Sequence, residues 1–393
     1  MFLLYLYNYV SKPLSLIVFV GFLFRLIFAW LQNSYDILPY VWDEVAFQQT
    51  ALNFSNYLLG IDEIPFDIYR INSVSSYGSF LGTIYFIFGQ DPIIGRLVSV
   101  IFGSLVIFFA YKIAKNFNIS DKKNYILCCI VALTPSYIIF SGLIMRDSLI
   151  WFLMYYFIYV IYKLYENKNK FQYLVKSILI IIPLVLLRKQ YAALFAVYFV
   201  FIIVHLIIER DYYFINLRVN FIKYLFISMI FLSGIVFSYN ILVYELSSFD
   251  KTDLMDYISS QISWRAQGGS AYLSHLEYNS IFDVFKNVPL KFYYFVYGPF
   301  LWSSTSAFTM LAAVENIVVW IFSFLFIKNF KIVFNQDNEN YRFILFLSFF
   351  VFTSLAANAV IDSNFGTAMR HRMVYLPLFY IIVLSVFQNK KFT

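Results

Sequence analysis

The sequence predicts an all-α polytopic integral membrane protein with about ten transmembrane helices, because three properties of the chain agree. Hydrophobic residues make up 61% of the 393 positions and charged residues only 13%, whereas soluble domains usually carry about 25% charged residues. The mean hydropathy is +0.72. The length suffices for roughly ten spans of about 20 residues with short connections. We therefore interpret residues 1–393 as a single integral-membrane domain.

Apolar segments with the length of membrane spans recur along the whole chain. Their boundaries are 14–31, 93–111, 125–142, 148–162, 173–187, 191–208, 222–244, 308–327, 342–360 and 373–388. Arg25 falls inside the first span, where it either reaches towards a membrane interface or pairs with the acidic loop that follows. The apolar segment 77–89 is too short for an ordinary span, which predicts a half-inserted or re-entrant helix.

Two long segments between the spans, 32–75 and 245–307, are expected to form the active-site face on the outer side. In the first, apolar residues recur every seven positions from Val45 to Leu59. This spacing predicts a helix that lies in the membrane interface. The second contains turn and interface signals and no pattern of a separate soluble domain.

The basic residues sort by side once a topology is assigned. If the amino terminus is cytoplasmic and 77–89 does not cross, 17 lysines and arginines fall inside and 11 outside. This distribution follows the positive-inside tendency. Both termini are then cytoplasmic. If 77–89 crosses the membrane, all later segments change sides and the basic residues no longer follow the positive-inside tendency.

Neither a metal nor a nucleic acid is expected as a partner. Cys128 and Cys129 are adjacent within an apolar run and are interpreted as packing residues. The sequence has no zinc-type spacing, so we expect no structural metal and no cofactor, although nothing excludes a divalent metal. Topology explains the inside lysines, and no nucleic-acid partner follows from them.

The first outer segment begins with an acidic pair, Asp43 and Glu44, flanked by aromatic residues. Ionised groups near hydrocarbon are costly and usually functional. Adjacent residues on a helix point about 100° apart, so one of the two is expected to act and the other to assist. Asp43 is predicted as a catalytic base, with Glu44 as the second candidate. The alternative is stabilisation of the first helical turn.

Cationic residues collect at the predicted outer ends of later spans, on the same side as Asp43. The candidates for binding a phosphate are Arg146, Arg188, Lys189, Arg265, Arg370, His371 and Arg372. Arginine binds phosphate bidentately and stays charged near lipid. Each residue alone is more often an interface anchor, and it is their convergence on one side that favours a phosphate. Asp147 is expected to pair locally with Arg146. Gly268-Gly269-Ser270 favours a flexible turn over a phosphate loop.

The order of these features resembles the GT-C superfamily of glycosyltransferases, which includes protein O-mannosyltransferases and the bacterial aminoarabinose transferase of lipid A. The resemblance covers roughly residues 12–165. Its motifs are Val41-Trp42-Asp43-Glu44-Val45-Ala46-Phe47, Tyr77-Gly78-Ser79 through Phe88-Gly89 with Arg96-Leu97, and Thr134-Pro135-Ser136 leading to Arg146-Asp147-Ser148-Leu149. The block after residue 268 resembles membrane proteins of bacterial polysaccharide clusters.

The resemblance implies an inverting transfer from a polyprenyl-phosphate-linked or polyprenyl-pyrophosphate-linked sugar on the outer face of the inner membrane, in cell-surface polysaccharide assembly. Asp43 would activate the acceptor hydroxyl, and arginines would stabilise the departing lipid phosphate. The expected partners are the donor, a glycan or lipid acceptor, and membrane lipid. The chain lacks an Asp-X-Asp pattern and a large carboxy-terminal soluble domain, which argues against the oligosaccharyltransferases proper.

Two other functions suit the same features. An O-antigen or capsule repeat-unit polymerase would use a lipid-pyrophosphate-linked oligosaccharide as its donor. A lipid-linked-sugar flippase or another transporter would need polar residues near mid-membrane or two matching halves with broken helices, whereas the ionisable residues of this chain gather at outer span ends.

Overall fold

The computed structural model of the protein describes residues 6–38, 41–63, 72–166, 170–192, 195, 254–266, 268–276, 280–304, 306–334 and 340–385. Within these residues the regular structure is helical, with one isolated bridge between Ala271 and Asn364. The α-helices are α1 Lys12–Tyr35, α2 Trp42–Leu58, α3 Ser73–Phe88, α4 Pro92–Asn116, α5 Asp121–Leu133, α6 Pro135–Ser141, α7 Asp147–Glu166, α8 Lys170–Leu187, α9 Leu254–Arg265, α10 Ile281–Tyr297, α11 Ala307–Lys328, α12 Phe330–Val333, α13 Tyr341–Ile361, α14 Phe365–Arg372 and α15 Leu376–Leu384.

The all-helical prediction is confirmed for the described residues, and ten spans are not. Five helices are long and apolar enough to cross a membrane, namely α1, α4, α7, α11 and α13. The bent pair of α5 and α6 makes a sixth if it is one span. The predicted span 173–187 corresponds to α8, which is shorter than these five helices. The predicted span 373–388 corresponds to α15, which has nine residues. The predicted span 222–244 and most of 191–208 lie outside the described residues.

The bend of 52° between α5 and α6 has a covalent origin. Pro135 has no N–H, so the carbonyl of Val131 loses its helical donor. The next N–H, on Ser136, donates to Glu315 Oε1 on α11 at 2.6 Å, and the Ser136 hydroxyl donates to Glu315 Oε2 at 2.6 Å. Two carbonyls at the end of α5 are therefore left for another donor.

Arg25 of α1 supplies that donor. Its Nη1 donates to the carbonyls of Ala132 at 2.9 Å and Gly21 at 2.8 Å, and its Nη2 donates to the carbonyl of Val131 at 3.0 Å. The side chain is fully buried. Neither interpretation of Arg25 from the sequence is therefore correct, because its partners are the backbone carbonyls that the helix break releases.

The predicted interfacial helix after the first span is present as α2, with a different buried face. Val45 and Leu59 are 43% and 50% exposed, so the seven-residue apolar stripe does not face the protein. The buried residues are Glu44, Phe47, Ala51 and Ser55, at the i, i+3, i+7 and i+11 spacing of one helical face.

The segment predicted as half-inserted, 77–89, belongs to α3, which packs along α2. A Cβ atom on Gly78 would lie 2.5 Å from Thr50 Cγ2, and one on Gly82 would lie 2.6 Å from the carbonyl oxygen of Ala51. The two helices can approach this closely because both positions lack a side chain. Small residues at such contacts are typical of helix packing in membranes.

Contacts between helix ends show that α2 and α3 make no net crossing. Glu44, which follows α1, forms an ion pair of 3.0 Å with Arg96 near the start of α4. The end of α1 and the start of α4 therefore lie at the same end of the bundle, which we call the Asp43 end. At the opposite end, the Tyr162 hydroxyl of α7 donates to the carbonyl of Asn116, where α4 ends, at 2.8 Å.

The described part of segment 245–307 is more helical than the turn signals indicated, since it contains α9 and α10. The buried face of α10 packs against α13 and α14. Lys291 of α10 donates to the carbonyl of Val360 at 2.8 Å and to the hydroxyl of Ser363 at 2.9 Å. Burial lowers the pKa of Lys291 to about 8.

Reporter fusions test this arrangement. A fusion after Ile113, near the end of α4, is expected to report the cytoplasm, and a fusion after Arg188 is expected to report the outer side. The reason is that these positions lie at opposite ends of the bundle, and the lysine distribution favours the end of α4 as cytoplasmic. Phosphatase and fluorescent-protein fusions measure both sides, and the same side for both positions would contradict the assignment.

Candidate functional site

A cavity of about 590 Å³ opens between α2, α6, α11 and α14 at the Asp43 end. Two groups of residues in its lining differ in chemistry. We call one the apolar lining, which comprises Ile139, Phe140, Leu143, Phe308, Leu311 and Ala312. We call the other the polar lining, which comprises Trp264, Arg265, Ser270, Asn364 and Thr367. Asp43 and Arg370 line the same cavity, so a carboxylate and two arginines border one open cavity.

Asp43 stands in the first turn of α2, and its side chain is 51% exposed. Its Oδ2 accepts a hydrogen bond of 2.6 Å from Nη1 of Arg370 on α14. The same Nη1 lies 3.9 Å from Oδ2 of Asp147. Arg370 therefore connects the start of α2 with the start of α7 and with α14, and it orients the Asp43 carboxylate at the cavity.

Asp147 binds a second arginine, from a distant part of the chain. Its Oδ1 accepts a hydrogen bond of 2.5 Å from Nη2 of Arg188, and both side chains are buried. Asp147 was expected to pair locally with Arg146. The structure corrects this, because the carboxylate bridges Arg188 and Arg370 instead. Arg188 is therefore placed behind the cavity lining, at the end of α8.

Nη1 of Arg146 donates no hydrogen bond to any of the described residues. The guanidinium lies over the ring of Phe47, with 5.4 Å to the ring centroid, and its Nη1 is buried. Burial, followed by the nearby Arg188, lowers the pKa of Arg146 to about 10, so the group remains charged at neutral pH. Arg146 is not part of the cavity lining, so its charge acts on the cavity from within the protein.

Glu44 faces away from Asp43 and into the protein. Its Oε1 lies 3.0 Å from Nη2 of Arg96 and accepts a hydrogen bond of 3.0 Å from the N–H of Ile144. Burial raises the pKa of Glu44, while the Ile144 N–H and Arg96 act in the opposite direction. The two acids thus have different surroundings, and Asp43 is the one that lines the cavity.

Arg265 and His371 meet on one buried carboxylate, that of Asp362. Nη1 of Arg265 donates to Asp362 Oδ1 at 2.8 Å, and Nδ1 of His371 lies 2.6 Å from Oδ2. Burial opposes ionisation, yet His371 and Arg265 hold the pKa of Asp362 below its usual value. Burial lowers the pKa of His371 to about 4, so the imidazole is neutral at pH 7 and donates to the carboxylate.

Arg372 and Lys189 do not line the cavity. Arg372 is buried, and its Nη1 donates to the carbonyls of Phe295, Val296 and Gly298 at 2.6–3.0 Å. Its Nη2 donates to Asn316 at 2.5 Å. These contacts are those of a residue that fixes the end of α10. Lys189 is half-buried just after Arg188.

The charges gathered around the cavity do not cancel. The four cations are Arg146, Arg188, Arg265 and Arg370, and the three carboxylates are Asp43, Asp147 and Asp362. With His371 neutral, one positive charge remains, which suits an anionic ligand. Among the described residues, no group of three or more His, Cys, Asp or Glu side chains could hold a metal ion.

Sequence reasoning missed Arg96, Asp362 and Glu315 as partners. Arg96 was quoted only as part of a motif, and the two acids were isolated within or beside apolar spans. An ionisable residue in such a place is a signal for a buried partner. The identity of that partner, however, depends on how the helices pack.

Comparison with known protein families gives one match. The family model described as dolichyl-phosphate-mannose-protein mannosyltransferase matches residues 18–250. This segment contains Asp43, Glu44, Arg146, Asp147 and Arg188. No curated protein and no solved structure matches the chain. The match spans more than half of the chain.

The assignment of Glu44 and Arg96 to the scaffold predicts a stability effect. Glu44→Gln keeps an acceptor for Ile144 but leaves the buried Arg96 without an anion, so it is expected to destabilise the protein by about 3–5 kcal/mol. Thermal unfolding of the detergent-solubilised protein measures the change. The matched control is Asp121→Asn, which breaks the exposed pair with Lys115 and is expected to change stability by about 0–1 kcal/mol. Equal effects would contradict the assignment.

Proposed function

Because the chain belongs to the dolichyl-phosphate-mannose-protein mannosyltransferase family, a family of glycosyltransferases, we propose that it transfers a sugar from a polyprenyl-phosphate-linked or polyprenyl-pyrophosphate-linked donor to an acceptor hydroxyl. Its apolar helices indicate a multi-pass membrane protein. The observation that carries the proposal is the half-exposed Asp43 carboxylate, held by Arg370 at a cavity with excess positive charge.

The proposed reaction is a single displacement with inversion. The acceptor hydroxyl oxygen attacks the anomeric carbon and forms the new glycosidic bond. Asp43 Oδ1 takes the hydroxyl proton, while Oδ2 stays bound to Arg370. The bond between the anomeric carbon and the phosphate oxygen breaks, and the lipid phosphate leaves with the electron pair. Arg146 and Arg370 stabilise the negative charge that develops on it.

The two-part lining of the cavity supports a donor with a charged head and an apolar chain. The apolar lining lies on α6, the loop after it, and the first turns of α11, and α11 is long and apolar enough to cross a membrane. A polyprenyl chain would lie against these side chains because they remove it from water. Its phosphate would then lie towards Arg370, which lines the cavity.

The proposed setting is the outer face of a bacterial inner membrane, with cytoplasmic termini, in cell-surface polysaccharide assembly. The positive-inside count supports this orientation. A repeat-unit polymerase would use the same arginines, and the donor distinguishes it, since its donor carries an oligosaccharide on a pyrophosphate. Transport is less well supported, because Asp43, Arg265 and Arg370 of the cavity lie at one end of the bundle. We propose that these arginines provide the positive charge without a bound metal.

Asp43→Asn is expected to lower sugar transfer by about 10²–10⁴-fold, which is the usual contribution of a general base. The amide cannot accept the proton, while the shape of the side chain is kept. The measurement is transfer of labelled sugar from the lipid-linked donor in membrane vesicles that contain equal amounts of protein. Asp121→Asn, at the opposite end of the bundle, is the control, and full activity of Asp43→Asn would remove Asp43 from the mechanism.

Arg370 and Arg372 were predicted from the sequence to bind the donor together, and their contacts predict different defects. Arg370→Ala is expected to lower kcat/KM for the donor by about 10²–10³-fold and to leave the protein folded. Arg372→Met leaves buried carbonyls without a donor and is expected to lower stability by about 3 kcal/mol. Donor kinetics and thermal unfolding of both variants measure the two effects. Wild-type donor kinetics in Arg370→Ala would refute the phosphate role.

A further inference from the structure

The cavity lining comes from two parts of the chain with different relations to the family. Asp43, Ile139 and Phe140 of the lining lie within residues 18–250, the segment that matches the family model. The polar lining lies entirely after residue 250. The matched segment therefore carries the proposed base, Arg370 of the leaving-group site lies after it, and the polar lining is where this chain can differ from the family in the second substrate.

Contacts among α9, the turn after it and the start of α14 hold the residues of the polar lining in place. The turn that follows Gly268 pairs with the start of α14 through the bridge between Ala271 and Asn364. The N–H of Phe365 donates to the carbonyl of Ser270 at 2.9 Å. On the other side, Arg265 is tied to Asp362. The contact between Arg265 and Asp362 holds the end of α9 in place. Trp264 is the residue before Arg265 on this helix.

Trp264 presents a large aromatic surface to this cavity. Its side chain is 70% exposed, although indole rings usually lose most of their surface to packing when they contact protein. The polar side chains that share the lining with it, Ser270, Asn364 and Thr367, carry hydroxyl and amide groups. A flat apolar ring beside hydroxyls and amides matches one class of ligand, because a pyranose has an apolar C–H face and hydroxyls around its edge.

We propose that the polar lining is the acceptor subsite and that the acceptor is a glycan, whose terminal sugar packs on the indole of Trp264. This inference rests on the proposed function and names its acceptor class. A lipid acceptor would compete with the donor chain for the apolar lining. A peptide acceptor needs backbone partners and has no use for an exposed indole as a platform.

Trp302 provides a matched control. It is also strongly exposed, at 81%, and it lies in the short segment that follows α10. Its ring stacks on Phe300, with 5.0 Å between centroids, and it is not part of the cavity lining. If Trp264 were only an interface anchor, as exposed tryptophans of membrane proteins often are, the two residues would respond alike to substitution.

The experiment compares wild type, Trp264→Ala, Trp264→Phe and Trp302→Ala, purified in nanodiscs. The acceptor probes are oligosaccharides released by mild acid from the surface polysaccharide of the source cells, and a Ser/Thr-rich decapeptide. We expect Trp264→Ala to raise KM for the oligosaccharides about tenfold, as the loss of an aromatic contact predicts, with KM for the donor unchanged. Trp264→Phe should retain most of the affinity, and Trp302→Ala should match wild type.

Calorimetric titration of the oligosaccharides into Asp43→Asn protein, with and without Trp264→Ala, gives a readout that does not depend on turnover. Binding that is lost with Trp264→Ala supports the subsite even if sugar transfer fails. Transfer to the decapeptide and not to the oligosaccharides would keep the proposed function and overturn the glycan inference. Equal oligosaccharide binding or KM with and without the Trp264 side chain would also overturn it.

Discussion

The geometry of the site depends on one arginine that lies between two carboxylates. Arg370 contacts Asp43 at 2.6 Å and Asp147 at 3.9 Å, and Asp147 in turn binds Arg188. Charges that are removed from water are stable only when they are paired, so each member of this chain of charges fixes the position of the next. The start of α2, the start of α7, the end of α8 and α14 are thereby held around one cavity.

The different surroundings of Asp43 and Glu44 follow from the same need to pair buried charges. A single α-helical step separates two adjacent side chains by about 100°, so only one of the acids can line the cavity. Glu44 faces the protein, where burial requires a partner that Arg96 and the N–H of Ile144 provide. Asp43 keeps half of its surface exposed, as a base that must reach a substrate requires.

The sequence was informative about helices and about which residues share one end of the bundle, and less so about partners. Apolar length predicted α1, α4, α7, α11 and α13, because a membrane span needs only composition and length. The acidic pair and the arginines were correctly grouped at one end by counting lysines and arginines. The contacts of Arg25, Arg372 and Asp362 were not predicted, since each depends on helix packing and on which backbone carbonyls are left free. The seven-residue pattern predicted α2 as a helix, but it did not identify the face that packs on the protein, which carries Phe47 and Ala51.

Helix breaks explain how so apolar a chain places polar groups at a cavity. Pro135 interrupts the α5–α6 pair, and the freed backbone groups are satisfied by Arg25 and Glu315. The break turns α6 away from α5, so that Ser136, Ile139 and Phe140 line the cavity. Non-helical backbone at membrane depth is tolerated only where protein partners satisfy it. The buried charges at the break therefore belong to the scaffold, and the half-exposed Asp43 is left for the substrates.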